Sequence, residues 1–217
     1  MRYDLVIFDL DGTLLDTLDD LTDATNRALA EAGFPSHSRE KIRTYIGNGV
    51  AKLIERAVPA GTDEQTRAQV LSRFKTIYTE NVNVNTRPFP GVPELLRALG
   101  EKDVRAAVNS NKVDNAVQLL CDAHFPGLLQ MALGERPNMP KKPAPDGARL
   151  IMEALGADPK RTLYVGDGDA DLLTAQNAKI DAAWVSWGFR HRDELGDLTI
   201  PRAFDSAEQL AAFILRP

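Results

Sequence analysis

The sequence predicts an α/β fold: a doubly wound parallel sheet flanked by helices and interrupted after its first strand by a helical domain. Three observations carry this. Residues 5–8, Leu-Val-Ile-Phe, are continuously apolar, as in a strand buried on both faces in the middle of a parallel sheet. From Pro88 onward, short apolar runs alternate with segments of helical period, the pattern of parallel strands joined by crossover helices. From Thr17 to about Val84 the period is helical, with no convincing strand. The expected division is an α/β domain of residues 1–16 and 88–217, with a helical insert of residues 17–87.

Each element has a local reason. After the first strand, Thr17 and Asp20 have capping-box spacing, and Leu18, Leu21, Thr25, Ala28, Leu29 and Ala32 follow at helical intervals up to Gly33. A second helix is expected from Ser38 with Ile42 and Tyr45 inward, and a third through Val50, Leu53, Ile54 and Ala57. Val70, Phe74, Ile77 and Tyr78 mark a fourth. The punctuation Arg87-Pro88-Phe89-Pro90-Gly91 returns the chain to the first domain. Helices are then expected over 92–99, 113–121, 145–155 and 172–178, and strands over 104–108, 130–133, 162–165 and 182–185. Ser206 and Gln209 cap a last amphipathic helix carrying Leu210, Phe213 and Ile214.

Composition narrows the function. The 217 residues carry a net charge of −5 and no basic run, which disfavours nucleic acid as a partner. The lone Cys121 forbids an internal disulfide and fits a reducing, cytoplasmic setting. No apolar run approaches a membrane span, and with the first strand starting at Leu5 no secretory signal is expected. His37, His124 and His191 are too scattered for a zinc site.

The chemistry gathers at strand ends. Asp9 and Asp11 sit at i and i+2 after the first strand, so their side chains project the same way, and Gly12 lets the backbone turn. Two such charges repel unless a cation lies between them or one is protonated; Mg²⁺ is the simplest resolution. The strand at 104–108 runs into Asn109-Ser110-Asn111-Lys112, a hydroxyl and amides suited to a phosphate oxygen, though Ser or Asn before a helix is also the commonest N-cap. In Lys142-Pro143-Ala144-Pro145 two prolines stiffen the turn behind a lysine, though Lys141-Lys142 alone reads more simply as a solvated basic pair in a surface loop. Gly166-Asp167-Gly168-Asp169-Ala170-Asp171 ends the strand at 162–165 in three acids within five residues, and it is not a calcium loop, having no closing Glu. All four stretches fall where an open α/β sheet collects its ligands.

Together Asp9-x-Asp11-Gly12-Thr13, Ser110-Asn111-Lys112, Lys142-Pro143-Ala144-Pro145 and Gly166-Asp167 with Asp171 resemble the haloacid dehalogenase superfamily, across the whole chain. The insert looks like that family's small helical cap on a Rossmann-like core. Phe89-Pro90-Gly91-Val92, the Ser110-Asn111-Lys112 form and the length look most like its phosphoglycolate phosphatases. The resemblance implies a Mg²⁺-dependent phosphatase of a small phosphorylated metabolite, 2-phosphoglycolate first, working as a monomer or homodimer. Asp9 would be the nucleophile and Asp11 the acid/base. Ser110 and Lys142 would bind the phosphoryl oxygens. Asp9, the backbone carbonyl of Asp11, Asp167 and Asp171 would hold the metal. Thr13 and Asn111 match motif positions beside the substrate.

In the cap, the backbone of Gly47-Asn48-Gly49 could meet an anion, or the glycines could simply serve a helix–helix turn; Arg43 and Lys52 flank it. A nucleotide, pyrophosphate or sugar phosphate is the alternative substrate. A sugar phosphomutase of the same family fits less well, because residues 17–36 contain no His, and the dehalogenases themselves lack the second aspartate. Ser110 in place of Thr, Asn109 at a strand end, and Gly168 with Asp169 depart from the family pattern.

Overall fold

The computed structural model describes residues 2–47 and 49–216. In chain order the elements are β1 (Leu5–Phe8), β2 (Leu15–Asp16), α1 (Leu18–Glu31), α2 (Arg39–Tyr45), α3 (Val50–Ala57), α4 (Glu64–Glu80), β3 (Arg87–Pro88), α5 (Val92–Gly100), β4 (Arg105–Val113), α6 (Asp114–His124), β5 (Met131–Glu135), α7 (Asp146–Ala154), β6 (Thr162–Gly166), α8 (Asp169–Ala178), β7 (Asp181–Val185), β8 (Ala203–Phe204) and α9 (Ala207–Ile214). The chain divides into two compact units, Met1–Leu15 with Pro88–Pro217, and Asp16–Arg87.

The first unit is built on a six-stranded sheet in the order β5-β4-β1-β6-β7-β8. All of its pairings are parallel. β1 lies inside it, with Leu5–Phe8 in register with Arg105–Val108 on one side and Thr162–Val165 on the other. This is why its four residues are all apolar: every one is buried. Leu5 and Ile7 face a core completed by Ala148, Ile151 and Met152 of α7 and Leu172 and Ala175 of α8. Val6 and Phe8 alternate to the opposite face and are buried there. From β1 the chain goes to β4 and β5, then returns to β6, β7 and β8 on the other side. β1 therefore marks the topological switch, where strand C-termini open a crevice for ligands.

Within this sheet two strands differ most from expectation. β4 runs on to Val113, through Ser110-Asn111-Lys112, and its pairing with β5 slips between Asn109 and Val113. β8 is only two residues long, too short to leave a periodic signal.

The second unit packs α1 against α2 and α4, and α3 against α2 and α4. Its core holds Leu18, Leu21, Ala28, Leu29, Ile42, Leu53, Ile54, Val70, Phe74 and Ile77. α2 starts beside Ser38 as expected, and the Ser38 side chain caps it, accepting from the Lys41 amide at 3.2 Å. The expected capping box at α1 is corrected. The Thr17 side chain does not cap the helix; Asp16 Oδ1 accepts from the Leu18 amide at 3.1 Å instead. Asp20 is buried and reaches across to the segment after α4, where the amides of Val84, Asn85 and Thr86 and the Thr86 hydroxyl donate to it at 2.7–3.1 Å. A buried carboxylate must find such donors, and this need overrides the local box. Of the cap loop singled out in the sequence, Asn48 lies outside the described residues. Gly47 and Gly49 take φ of +115° and +85°, a region that favours glycine, and Gly49 is the N-cap of α3.

Candidate active site

The carboxylates come together at the C-terminal ends of β1 and β6. Asp9 follows β1, Asp167 follows β6, and Asp171 stands in the first turn of α8; their oxygens lie within 4.8 Å of one another. Missing side chains make this approach possible. A Cβ on Gly166 would overlap the Asp171 carboxylate, and one on Gly12, which sits at φ +86°, would strike that of Asp167. Asp171 Oδ2 also accepts from the Gly168 amide at 3.0 Å, closing the first turn of α8.

Lys142 answers this charge. Its ammonium lies 2.7 Å from Asp9 Oδ1 and 2.7 Å from Asp171 Oδ1, and the residue is buried. Burial alone would lower its affinity for a proton, but the charges of Asp171 and Asp9 outweigh burial and hold it well above the ordinary lysine range. The stiff turn expected behind it is reinforced by Asn111. The Asn111 side chain accepts from the Lys142 amide at 2.8 Å and donates to the Lys142 carbonyl at 3.1 Å. One lysine does not balance three carboxylates. Burial pushes Asp9 up to about 8, against the pull of Lys142 and reinforced by Asp171 and Asp167. Burial, with the charge of Asp171, pushes Asp167 up to about 7, against the amides of Phe189 and Arg190.

Asp11 is held apart from that cluster. Both of its carboxylate oxygens accept from the buried ammonium of Lys112, at 2.8 and 3.0 Å. Ser110 Oγ accepts from the Lys112 amide at 3.2 Å, which leaves the hydroxyl proton as what Ser110 can offer to an anion. Thr13 turns its hydroxyl to Asp167 Oδ1 at 3.4 Å, while its carbonyl accepts from the Trp187 indole at 3.0 Å.

The sequence did not reveal one part of the site, the segment after β7. The amides of Phe189 and Arg190 donate to Asp167 Oδ2 at 2.7 and 3.3 Å, and the Trp184 indole donates to the Asp167 carbonyl at 2.7 Å. A Cβ on Gly188 would collide with Asp167 and with the Gly12 carbonyl. The available signal was Trp187-Gly188: a glycine beside a large aromatic just past a strand C-terminus marks a close backbone approach.

This donor set fits a hard divalent cation: three carboxylates at one point, two of them held above the ordinary carboxylate range by burial and by their like-charged neighbours. No helix among the described residues is long and apolar enough to cross a membrane.

The chain belongs to the haloacid dehalogenase-like hydrolases, whose family model matches residues 6–185. It is 32% identical over 203 residues to a phosphoglycolate phosphatase of Aquifex aeolicus (strain VF5), covering 93% of each chain. It is 35% identical to one of Mannheimia succiniciproducens, over 90% of this chain and 91% of that one. A crystal structure from Lactobacillus delbrueckii subsp. bulgaricus, carrying a provisional phosphoglycolate phosphatase assignment, superposes with a TM-score of 0.94 at 34% identity, covering 99% of both chains. The six-stranded sheet with its flanking helices is thus the family's α/β core, and the chain is similar over nearly its whole length to phosphoglycolate phosphatases.

Proposed function

We propose that this protein hydrolyses a small phosphate monoester, 2-phosphoglycolate first among candidates, with Mg²⁺ and through an aspartyl-phosphate on Asp9. One observation carries the reading. Asp9 stands at the end of β1 with its oxygen 2.7 Å from a buried ammonium, inside a three-carboxylate cluster. The similarity to phosphoglycolate phosphatases over nearly the whole chain supports the substrate.

Asp9 attacks phosphorus in line with the ester oxygen, and the phosphorus–ester oxygen bond breaks. Asp11 gives its proton to the departing alkoxide. Water then attacks the phosphorus of the aspartyl-phosphate and yields a proton to Asp11; the Asp9–phosphorus bond breaks and inorganic phosphate leaves. Lys142 and the Ser110 hydroxyl bind the phosphoryl oxygens, and Lys142 also orients Asp9 through its ammonium. Asp9, Asp167, Asp171 and the Asp11 carbonyl are the residues that would hold the metal. Bound there, Mg²⁺ supplies the positive charge that lets a dianionic ester approach a carboxylate. The Trp184 indole and the amides of Phe189 and Arg190 keep Asp167 in place.

Two results are expected. A phosphate-release screen over a metabolite panel should show turnover with phosphoglycolate ahead of nucleotides, pyrophosphate and sugar phosphates. Asp11→Asn should lose on the order of 10²–10⁴ in kcat while keeping a nucleophile that can be phosphorylated. Near-normal turnover in that variant would overturn the role of Asp11. A panel led by another ester would overturn the substrate and leave the chemistry.

The metal can be tested without turnover. Because Asp9 and Asp167 are pushed up to about 8 and about 7, the metal-free protein carries protons there at neutral pH that a cation must displace. Calorimetric titration with Mg²⁺ near pH 7 should give heats that vary with the buffer's ionisation enthalpy, and affinity should fall as pH falls. A buffer-independent heat would refute the proton count, and the absence of saturable binding would refute the metal site.

A further inference from the structure

Lys112 is a buried cation that the reaction above does not use. Its side chain is 2% exposed, and its ammonium bridges both oxygens of Asp11. We infer that Lys112 is the positioning residue of the acid/base: it fixes the Asp11 carboxylate on the ester-oxygen side of the phosphorus and apart from the metal-holding carboxylates. The inference rests on the phosphatase reading and extends it to a residue with no role there.

The local fold is built to deliver this lysine. Asn109 pairs with Leu133 and Val113 with Glu135, so four steps along β4 are matched by two along β5. The surplus residues bulge out of the ladder, and a bulge re-aims side chains. It presents the Ser110 hydroxyl and the Lys112 ammonium from one short segment, tied by the Lys112 amide on Ser110 Oγ. Gly134 is what lets the segment pass: a Cβ there would strike the Lys112 carbonyl and the Asp114 backbone. Asp114 Oδ1 pins the crossing by accepting from the Gly134 amide at 2.8 Å.

The two buried lysines divide the work. Lys142 bridges Asp9 and Asp171; Lys112 takes Asp11. Asp11 lies just past β1 and before the Gly12 turn, and the Lys112 ammonium grips both of its carboxylate oxygens there. A proton donor must come within hydrogen-bond reach of the leaving oxygen, and a misplacement of about 1 Å is costly. An ammonium is a compact charge with rotatable donors. It can slide to one carboxylate oxygen while the other exchanges a proton, which the two-pronged guanidinium of an arginine would hinder.

The test exploits the two half-reactions. p-Nitrophenolate leaves without needing a proton, so the first step on p-nitrophenyl phosphate does not depend on Asp11, whereas attack of water on the aspartyl-phosphate does. For Lys112→Met we expect a burst of p-nitrophenolate approaching one equivalent per enzyme. A steady rate lower by on the order of 10²-fold should follow, with phosphorylated Asp9 trapped by acid quench and seen by intact-mass spectrometry. On phosphoglycolate, whose alkoxide needs the proton, both steps slow: no phosphoenzyme should accumulate and kcat/KM should fall further than on the aryl ester. Lys112→Gln, which keeps a donor and a similar volume, serves if the Met variant does not fold, and should show a smaller burst of the same kind. A first turnover slowed as much as the steady rate, without phosphoenzyme, would overturn the inference, because Lys112 would then act on Asp9 or on the fold. Unchanged kinetics would overturn it as well. If the parent releases phosphate from neither ester, the phosphatase reading fails first, and this inference with it.

Discussion

Asp9→Asn should abolish turnover while leaving the protein as stable as before, or more so. The amide has nearly the shape of the carboxylate but is no nucleophile toward phosphorus. No aspartyl-phosphate should form, and kcat/KM on p-nitrophenyl phosphate should fall by about 10⁴-fold or more. Stability should move the other way. Burial and two neighbouring carboxylates push Asp9 up to about 8, so the folded, metal-free protein binds a proton there that the unfolded chain releases near pH 4. Stability therefore falls as pH rises between those values, and above about pH 8 the ionised Asp9 is a net cost. A neutral amide removes it, and Asp171 still accepts from Lys142. In EDTA near pH 9 the variant's Tm should equal or exceed the parent's. A variant that is both inactive and clearly less stable at that pH would show that Asp9 holds the fold together, and its activity loss could not then be assigned to a missing nucleophile.

The same opposition explains what the sequence disclosed and what it hid. The apolar run Leu5–Phe8 and the acids after it were legible because a central parallel strand leaves an unbroken apolar signature, and two carboxylates two residues apart at its end repel unless a cation joins them. Lys142 was legible only as one of four motifs taken together, since a basic pair before two prolines reads by itself as a solvated surface loop. The segment after β7 was not, since what it gives Asp167 is backbone amides from Phe189 and Arg190, which any residue can supply. Lys112 was visible as part of a motif, but its partner was not: the pairing with Asp11 spans 101 positions and depends on a slip in the β4–β5 register that no local pattern encodes. Asp20 misled because a capping box is a local rule, and a donor set 64 to 66 residues away satisfied the carboxylate more fully.

Lys142→Met should show how far the site is a problem of charge. Removing the ammonium leaves Asp9 and Asp171 buried without their common cation, and breaking a buried pair in this way costs about 3–5 kcal/mol. Activity should fall by about 10³-fold or more, because the phosphoryl oxygens lose a fixed positive group and Asp9 its orientation. The pH dependence separates charge from packing. Lys142 is held well above the ordinary lysine range, so its contribution is fully present below the unfolded lysine value and is lost only as pH rises through the folded one. In the variant the carboxylates should hold protons to still higher pH than Asp9 does in the parent, so its stability should climb as pH is lowered from about 8.5 to about 6. The Tm gap to the parent in EDTA should be widest at the alkaline end and narrow on acidification, and saturating Mg²⁺ should narrow it at alkaline pH as well. Methionine keeps most of the aliphatic volume of lysine, so a gap that stayed constant across pH and metal would mean that Lys142 acts by its stem and its turn, and the electrostatic account of the cluster would have to be given up.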